Sequence, residues 1–157
     1  MMTNGPRYDA IHVYDLDGTV ISSSHRYRTI PGENRIDLEH WRANDIPEMI
    51  AKDSLLPHAA QYMADIKNPR IYVIVATARA CVPGDANYKF LRDRLAMPNK
   101  FIHRKGVNDN RKGAKLKIDG IRPLLNLKQF QNALFQLKIN IPMDVLLLLY
   151  RLEKLVR

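Results

Sequence analysis

Two aspartates follow the first apolar stretch of the chain and are separated by a single residue. Residues 10–15 are rich in β-branched and aromatic side chains, which predicts a buried strand ending at Asp15. Asp17, Gly18 and Thr19 come directly afterwards. Two carboxylates at this spacing can converge on a hard cation such as Mg²⁺, and ligands of open α/β sheets bind at the carboxyl ends of strands. A hairpin turn at the Asp-Gly pair is the alternative, but it leaves Asp15 unexplained.

A second polar cluster ends the next strongly apolar stretch. Residues 71–76 are almost wholly apolar, as is typical of a central parallel strand, and Thr77 and Arg79 follow. A helix predicted between the two strands makes a βαβ unit with a right-handed crossover. We therefore expect the strands at 10–15 and 71–76 to lie side by side. The predicted fold is a Rossmann-like α/β sandwich of three layers with a mainly parallel sheet.

The 157 residues suffice for one domain, and we expect residues 1–157 to form a single one. Residues 22–53 are polar and predict a short insertion, or small cap, after the first strand. They contain the only tryptophan, Trp41, for which a core position is favoured over a base-stacking role. We expect residues 126–157 to form an atypical C-terminal segment, in which the sequence pattern predicts secondary structure less clearly.

The remaining elements are predicted from hydrophobic periodicity and from proline and glycine positions. Asp53 or Ser54 is the predicted cap of the helix that runs to about Lys67. The other expected elements are short helices from about residue 38 and over 45–53, a helix over 86–95, a strand over 100–103, a basic helix over 111–125, either a helix over 127–137 or a helix there that leads into a strand over 138–141, and a helix over 145–156.

Charge and cysteine content narrow the class of protein. The formal net charge is +9, and eleven Lys or Arg residues against three Asp between Lys89 and Arg122 supply most of it. A concentrated basic face favours a polyanionic partner, either nucleic acid or a phosphorylated ligand, although a solvated basic surface is the alternative. The single cysteine, Cys81, excludes an internal disulfide, and no stretch resembles a signal peptide or a membrane span. We expect a cytoplasmic protein without membrane contact.

Three motifs in this order resemble the haloacid dehalogenase (HAD) superfamily of phosphotransferases. They are Tyr14-Asp15-Leu16-Asp17-Gly18-Thr19, Val75-Ala76-Thr77-Ala78-Arg79, and a lysine on the following basic helix. The stretch Asn110-Arg111-Lys112-Gly113-Ala114-Lys115-Leu116-Lys117 is similar to small phage-encoded members and, more loosely, to the 3′-phosphatase domain of polynucleotide kinase-phosphatase. The resemblance covers residues 10–125 and implies host cytoplasm as the location if the protein is phage-encoded.

The resemblance implies a catalytic role for four side chains. Asp15 would be the nucleophile that forms an aspartyl-phosphate, and Asp17 the general acid and base. Thr77 would donate its hydroxyl to a phosphoryl oxygen, and a lysine would balance the growing negative charge. Lys117 fits that position best and Lys115 second.

Further contacts are implied for substrate and metal. The resemblance assigns substrate binding to a group of loop and basic residues, namely Gly18, Thr19, Arg79, Lys112 and Lys115. Mg²⁺ would be held by Asp15, by the backbone carbonyl of Asp17 and by Asp144, the only carboxylate near a later strand end. Superfamily members usually carry one or two acids there, and no acid pair is present. Asp144 is equally plausible as a helix N-cap, and Asp119, on the presumed lysine helix, is a further candidate ligand.

The sequence thus predicts a Mg²⁺-dependent phosphomonoester hydrolase. Its substrate is expected to be a nucleic-acid 3′-phosphate or a nucleotide, and the basic face together with the short insertion favours the former. The alternative is a non-catalytic nucleic-acid- or protein-binding module on a degenerate HAD scaffold. The missing acid pair favours that alternative, whereas the presence of Asp15, Asp17 and Thr77 together argues against it.

Overall fold

The computed structural model describes residues 7–106 and 108–138. The strands are β1 (Ala10–Tyr14), β2 (Ile21–Ser22), β3 (Ser54–Leu55), β4 (Ile71–Ala80), β5 (Lys100–Arg104) and β6 (Leu134–Lys138). The helices are α1 (Leu38–Ala43), α2 (Pro47–Ile50), α3 (His58–Lys67), α4 (Ala86–Arg94) and α5 (Gly113–Ile121). None of the helices in these ranges is long and apolar enough to cross a membrane.

Four parallel strands form the central sheet in the order β5-β4-β1-β6. Strands β1 and β4 are neighbours, and Tyr14 is aligned with Val75. Helix α3 connects them, as a βαβ unit requires. This confirms the predicted α/β fold with a mainly parallel, Rossmann-like sheet. It also confirms that the strands predicted at 10–15 and 71–76 lie side by side.

Side chains alternate between the two faces of the sheet and build two core layers. Ile11 and Val13 of β1 face one layer, which contains Leu116 and Ile121 of α5. Tyr14 faces the other layer, which contains residues of α3 and α4. Helices therefore cover both faces, and the sandwich has the three layers that were predicted.

A two-stranded antiparallel pair brackets the segment after β1. Ile21 of β2 is aligned with Leu55 of β3, so the chain leaves and re-enters the domain at one place. The segment between them contains α1 and α2, close to the predicted short helices. Asp37 caps α1 by accepting a hydrogen bond of 3.0 Å from the backbone N–H of His40.

Two element boundaries differ from the sequence prediction. Strand β4 extends to Ala80 rather than ending at residue 76, so Thr77 and Arg79 are strand residues. Its register with β5 shifts between Ala76 and Ala80, which marks an irregularity at the carboxyl end. Helix α5 ends at Ile121 and continues as a 3₁₀ turn that contains Pro123, because proline lacks the N–H that an α-helix needs.

Two further predictions are corrected by the structure. The N-cap of α3 is Pro57, and neither Asp53 nor Ser54 caps it: Asp53 instead binds buried arginines, and Ser54 lies in β3. The stretch 127–137 is not a helix: residues 128–130 form a 3₁₀ turn, and the strand predicted as the alternative begins at residue 134 instead of 138, as β6 beside β1. Tertiary pairing overrides local propensity there.

Candidate active site

A tight turn after β1 fixes the two aspartates relative to each other. Leu16, which lies between them, is fully buried, and its carbonyl accepts hydrogen bonds from the backbone N–H groups of Thr19, Val20 and Ile21 at 3.2, 3.0 and 2.9 Å. Gly18 has φ +77°, a conformation that side-chain-bearing residues rarely adopt. The Asp-Gly-Thr sequence is thus explained by a turn that presents both carboxylates at the end of the strand.

The carboxylate of Asp15 is paired with Lys117 of helix α5. Its Oδ2 is 3.2 Å from Nζ of Lys117, and its Oδ1 accepts a hydrogen bond of 2.9 Å from the backbone N–H of Leu16. The Asp15 and Lys117 side chains are only 15% and 12% exposed. Burial raises the pKa of Asp15, and the charge and hydrogen bond of Lys117 oppose that rise without cancelling it. The result is a poorly solvated carboxylate held by one cation.

Close approach of α5 to the sheet brings Lys117 to this position. A side chain at Gly120 would place its Cβ 2.6 Å from Ile102 of β5, so a glycine is needed where the helix meets the strand. Leu116 and Ile118, on either side of Lys117, are buried in the core. The helix therefore has a fixed rotation, and only one of its lysines can point at Asp15.

The other two lysines of the motif lie elsewhere. Nζ of Lys115 is 3.1 Å from Asp119 one helical turn along α5, and its side chain is 67% exposed. Lys112 is exposed and occupies the position before the first helical residue. Residues two or five positions apart on a helix point in different directions, which explains why one lysine faces the carboxylate and the others do not.

Asp17 is held by a two-point ion pair with Arg79. Nε and Nη2 of Arg79 lie 2.9 and 2.6 Å from the two carboxylate oxygens, and the hydroxyl of Ser23 donates a third bond of 2.7 Å. Burial raises the pKa of Asp17, but the hydrogen bonds and charge of Arg79 outweigh it and leave the pKa lowered. Asp17 is therefore ionised at neutral pH in this arrangement.

Arg79 also belongs to a buried network that reaches into the insertion. Its Nη1 donates to Oδ2 of Asp53 at 2.9 Å and to Oδ1 of Asn87 at 3.1 Å. Asp53 in turn accepts from Nε and Nη2 of Arg26 at 2.9 and 3.0 Å, and the side chains of Asp53 and Arg26 are fully buried. Arg26 completes its contacts with Asp45 at 3.1 Å. The guanidinium predicted to grip phosphate is directed at this network.

The sequence interpretation missed Arg26, Asp45, Asp53 and Asn87. Asp53 is separated by 26 or 27 residues from its two arginine partners, so no local spacing marks the pairs. Trp41 was expected in the core, and that expectation is wrong. Its ring is half-buried and lies 4.3 Å from the guanidinium carbon of Arg26, because a desolvated cation is stabilised by an aromatic face.

Thr77 lies beside the nucleophile candidate on the neighbouring strand. Because Tyr14 is aligned with Val75, Asp15 and Thr77 follow one and two residues beyond the same aligned pair. Thr77 is fully buried, and its Oγ1 accepts a hydrogen bond of 3.1 Å from the backbone N–H of Arg79. The structure shows no hydrogen bond donated by this hydroxyl to another described residue.

The described residues contain no group of three carboxylate, histidine or cysteine side chains that could hold a metal ion. Asp15 and the backbone carbonyl of Asp17 are hard oxygen donors of the kind that Mg²⁺ prefers, so this donor set fits that cation. Asp144 and the helix predicted over 145–156 lie outside the described residues.

The basic region is less free than its charge count suggests. Salt bridges join Arg92 to Asp93 at 2.8 Å and Arg111 to Asp109 at 2.8 Å. Arg104 donates to the backbone carbonyl groups of three residues, Ala78, Asp109 and Arg111. Many of the cationic side chains of this region therefore bind other parts of the protein around the edge of the sheet. This weakens the inference of a polyanion-binding face.

The arrangement brings together a carboxylate paired with a lysine, a second carboxylate paired with an arginine, and a buried hydroxyl. Such a set can attack an electrophile, move a proton and neutralise an anion.

Comparison with known proteins gives one result. No curated protein and no solved structure matches the chain significantly. The family model described as "Bacteriophage T5 5′-deoxynucleotidase" matches residues 2–104. The matched part contains Asp15, Asp17, Thr77, Arg79 and the whole insertion, whereas Lys117 lies beyond it. Since the match spans well over half of the 157 residues, the chain belongs to the bacteriophage T5 5′-deoxynucleotidase family.

Proposed function

We propose that the protein is a Mg²⁺-dependent phosphatase of the HAD type that hydrolyses deoxynucleoside 5′-monophosphates through an aspartyl-phosphate at Asp15. The observation that carries this proposal is the pairing of Asp15 with Lys117 at 3.2 Å, beside Asp17 and Thr77 at the carboxyl edge of the sheet. A carboxylate in that setting is a covalent nucleophile with its charge-balancing cation already in place.

The first step transfers the phosphoryl group to the protein. An Asp15 carboxylate oxygen attacks phosphorus, the bond from phosphorus to the 5′ oxygen breaks, and that oxygen takes a proton from Asp17. Arg79 favours the ionised form of Asp17, so this step requires one proton to be taken up as the substrate binds. The nucleoside then leaves.

The second step returns the protein to its starting state. Asp17, again ionised, takes a proton from a water molecule, whose oxygen attacks phosphorus. The bond between phosphorus and Asp15 breaks, inorganic phosphate is released, and Asp17 gives its proton to solvent, which balances the proton taken up when the substrate bound. The ion pair with Arg79 suits this step, because it holds the base in its carboxylate form and fixes its direction.

Lys117 and Thr77 act on the transferring group itself. The ammonium of Lys117 offsets the negative charge of Asp15 together with that of the phosphoryl oxygens, and the Thr77 hydroxyl donates to one of those oxygens. Both groups are held by buried elements and do not need to reorganise during the reaction. Mg²⁺, held by Asp15 and the Asp17 carbonyl, would supply further neutralisation of phosphoryl charge.

The substrate class is supported by the family and by the insertion. The family's name specifies a 5′-deoxynucleotidase, which favours the free nucleotide over the nucleic-acid 3′-phosphate that the basic region suggests. Residues 22–53 act as a small cap in this proposal, since the network through Arg26 and Asp53 fastens them beside Asp17. A fastened cap suits a nucleotide-sized ligand.

The test is phosphate release from three substrates: a deoxynucleoside 5′-monophosphate, a 3′-phosphorylated oligonucleotide and p-nitrophenyl phosphate. We expect hydrolysis of the first in Mg²⁺, loss of activity in excess chelator, and recovery when Mg²⁺ is returned. Preference for the oligonucleotide, with rates that fall steeply with salt, would contradict the substrate assignment. Full activity in chelator would contradict the metal dependence.

A further inference from the structure

The insertion carries an aromatic pair, Tyr27 and Trp41, whose ring centroids are 6.4 Å apart with planes inclined at 55°. We propose that this aromatic pair is the nucleobase-binding surface of the site, a proposal that rests on the phosphatase function above. Aromatic faces stack on bases with little regard to base identity. The pair would therefore recognise the nucleoside as a flat aromatic group and leave the chemistry to the carboxylates.

The aromatic pair is connected directly to the acid–base residue. The Trp41 ring is 6.0 Å from the guanidinium carbon of Arg79, and the same guanidinium holds Asp17 at 2.6 Å. One side chain therefore separates the indole from the carboxylate that acts on the leaving oxygen. Trp41 also lies 4.3 Å from the guanidinium carbon of Arg26, and in the described ranges no other aromatic ring contacts a cation of this network.

The direction of the reaction points to the same place. The leaving oxygen carries the nucleoside, and the residue that protonates it must face it. The nucleoside therefore extends from the phosphorus atom toward and beyond Asp17, in the direction away from Lys117. The side chains that donate hydrogen bonds to Asp17 are those of Arg79 and of Ser23, and Ser23 lies at the start of the insertion. The insertion is accordingly the part of the chain that meets the base.

Part of this surface is open to solvent. Tyr27 is 41% exposed and Leu38 is 58% exposed. Leu38 lies three residues before Trp41 on α1, so the two side chains share one face of that helix. Contiguous exposed apolar patches often mark binding surfaces.

Trp41 also has a structural duty, because its ring covers the buried guanidinium of Arg26 at 4.3 Å. Removing the indole would disturb the network as well as the proposed surface. Tyr27 makes no hydrogen bond or ion pair that the structure shows, so it is the better position for a substitution. Trp41 is the better reporter, since it is the only tryptophan in the chain.

The first experiment follows the fluorescence of that single tryptophan. The Asp15→Asn variant, which we expect to bind without turnover, is titrated in Mg²⁺ with deoxyadenosine 5′-monophosphate and separately with 2-deoxyribose 5-phosphate. Stacking of the base predicts saturable quenching by the nucleotide and little by the sugar phosphate. No quenching by either ligand, or equal quenching by both, would overturn the proposal.

The second experiment compares kcat/KM for the same two compounds. The preference is the ratio of kcat/KM for the nucleotide to kcat/KM for the sugar phosphate. Tyr27→Ala removes one stacking partner of the base and should lower this ratio by about tenfold. Tyr27→Phe, which keeps the ring, should restore the preference. Leu134→Ala is the control, because Leu134 is 59% exposed and is aligned with Ala10 at the opposite end of the sheet.

The two experiments separate this proposal from the function on which it rests. Wild-type protein that releases no phosphate from either compound would refute the phosphatase, while the fluorescence titration would still decide on base binding. An active enzyme whose preference for the nucleotide is the same in Tyr27→Ala as in the wild type would refute the aromatic pair alone.

Discussion

Asp53 is the centre of the buried network, and replacing it with asparagine tests the network's energetic weight. Its carboxylate accepts three charge-assisted hydrogen bonds of 2.9, 3.0 and 2.9 Å from Arg26 and Arg79. Asp53→Asn keeps the shape but removes the charge. Breaking a buried ion pair by removing one partner costs about 3–5 kcal/mol. Here we expect about 3 kcal/mol, because Arg26 keeps Asp45 and Arg79 keeps Asp17.

Chemical and thermal unfolding followed by circular dichroism measure this loss. For a domain of this length, about 3 kcal/mol corresponds to a decrease in Tm of roughly 6–12 °C. Asp9→Asn is the matched control, since it removes the same charge from an exposed ion pair with Arg70. Exposed pairs contribute little, so the control should unfold close to the wild type. Equal behaviour of the two variants would refute the view that the buried network stabilises the domain.

Three further predictions concern the site and the core. Lys117→Met should lower kcat by about 100-fold or more, whereas Lys115→Met should leave it near the wild type; similar rates for both would contradict the assignment. Thr77→Val should reduce kcat about 100-fold with an unchanged fold by circular dichroism, and a fully active variant would exclude the hydroxyl from the site. Burial raises the pKa of Asp65, but hydrogen bonds, chiefly from His12, outweigh burial and leave the pKa lowered. The ionised Asp65 carboxylate therefore contributes fully to the free energy of unfolding at neutral pH, and this contribution is lost in acid as the carboxyl is protonated. Asp65→Asn should flatten the acid limb of stability against pH; an unaltered limb would refute this source.

Part of this architecture could be predicted from the sequence for identifiable reasons. Two apolar stretches joined by a helix leave few topologies open, because parallel crossovers are right-handed. Adjacency of β1 and β4 followed, and with it the meeting of Asp15 and Thr77. The choice of Lys117 among three lysines rested on the resemblance to phage-type members, and helix geometry predicted only that the three side chains point in different directions.

The remainder depends on contacts that no local pattern encodes. Asp53 looked like a helix cap because an acid before an amphipathic stretch commonly is one, yet two arginines distant in sequence compete for it more strongly. Trp41 looked like core because it is large and apolar, and a buried guanidinium instead gives it a place at the edge of the site. Strand β6 is short, and its pairing with β1 decides its conformation.

The central claim is that Asp15 forms a covalent bond to phosphorus, and chemical trapping of that intermediate tests it most directly. An acyl phosphate is reduced by borohydride, which converts the aspartate that carried it into homoserine. Protein quenched with borohydride during turnover of a deoxynucleoside 5′-monophosphate is digested and its peptides are weighed by mass spectrometry. We predict homoserine at position 15, only when substrate is present, and none in Asp15→Asn. Reduction at another carboxylate, or none at all in protein that is releasing phosphate, would contradict the account.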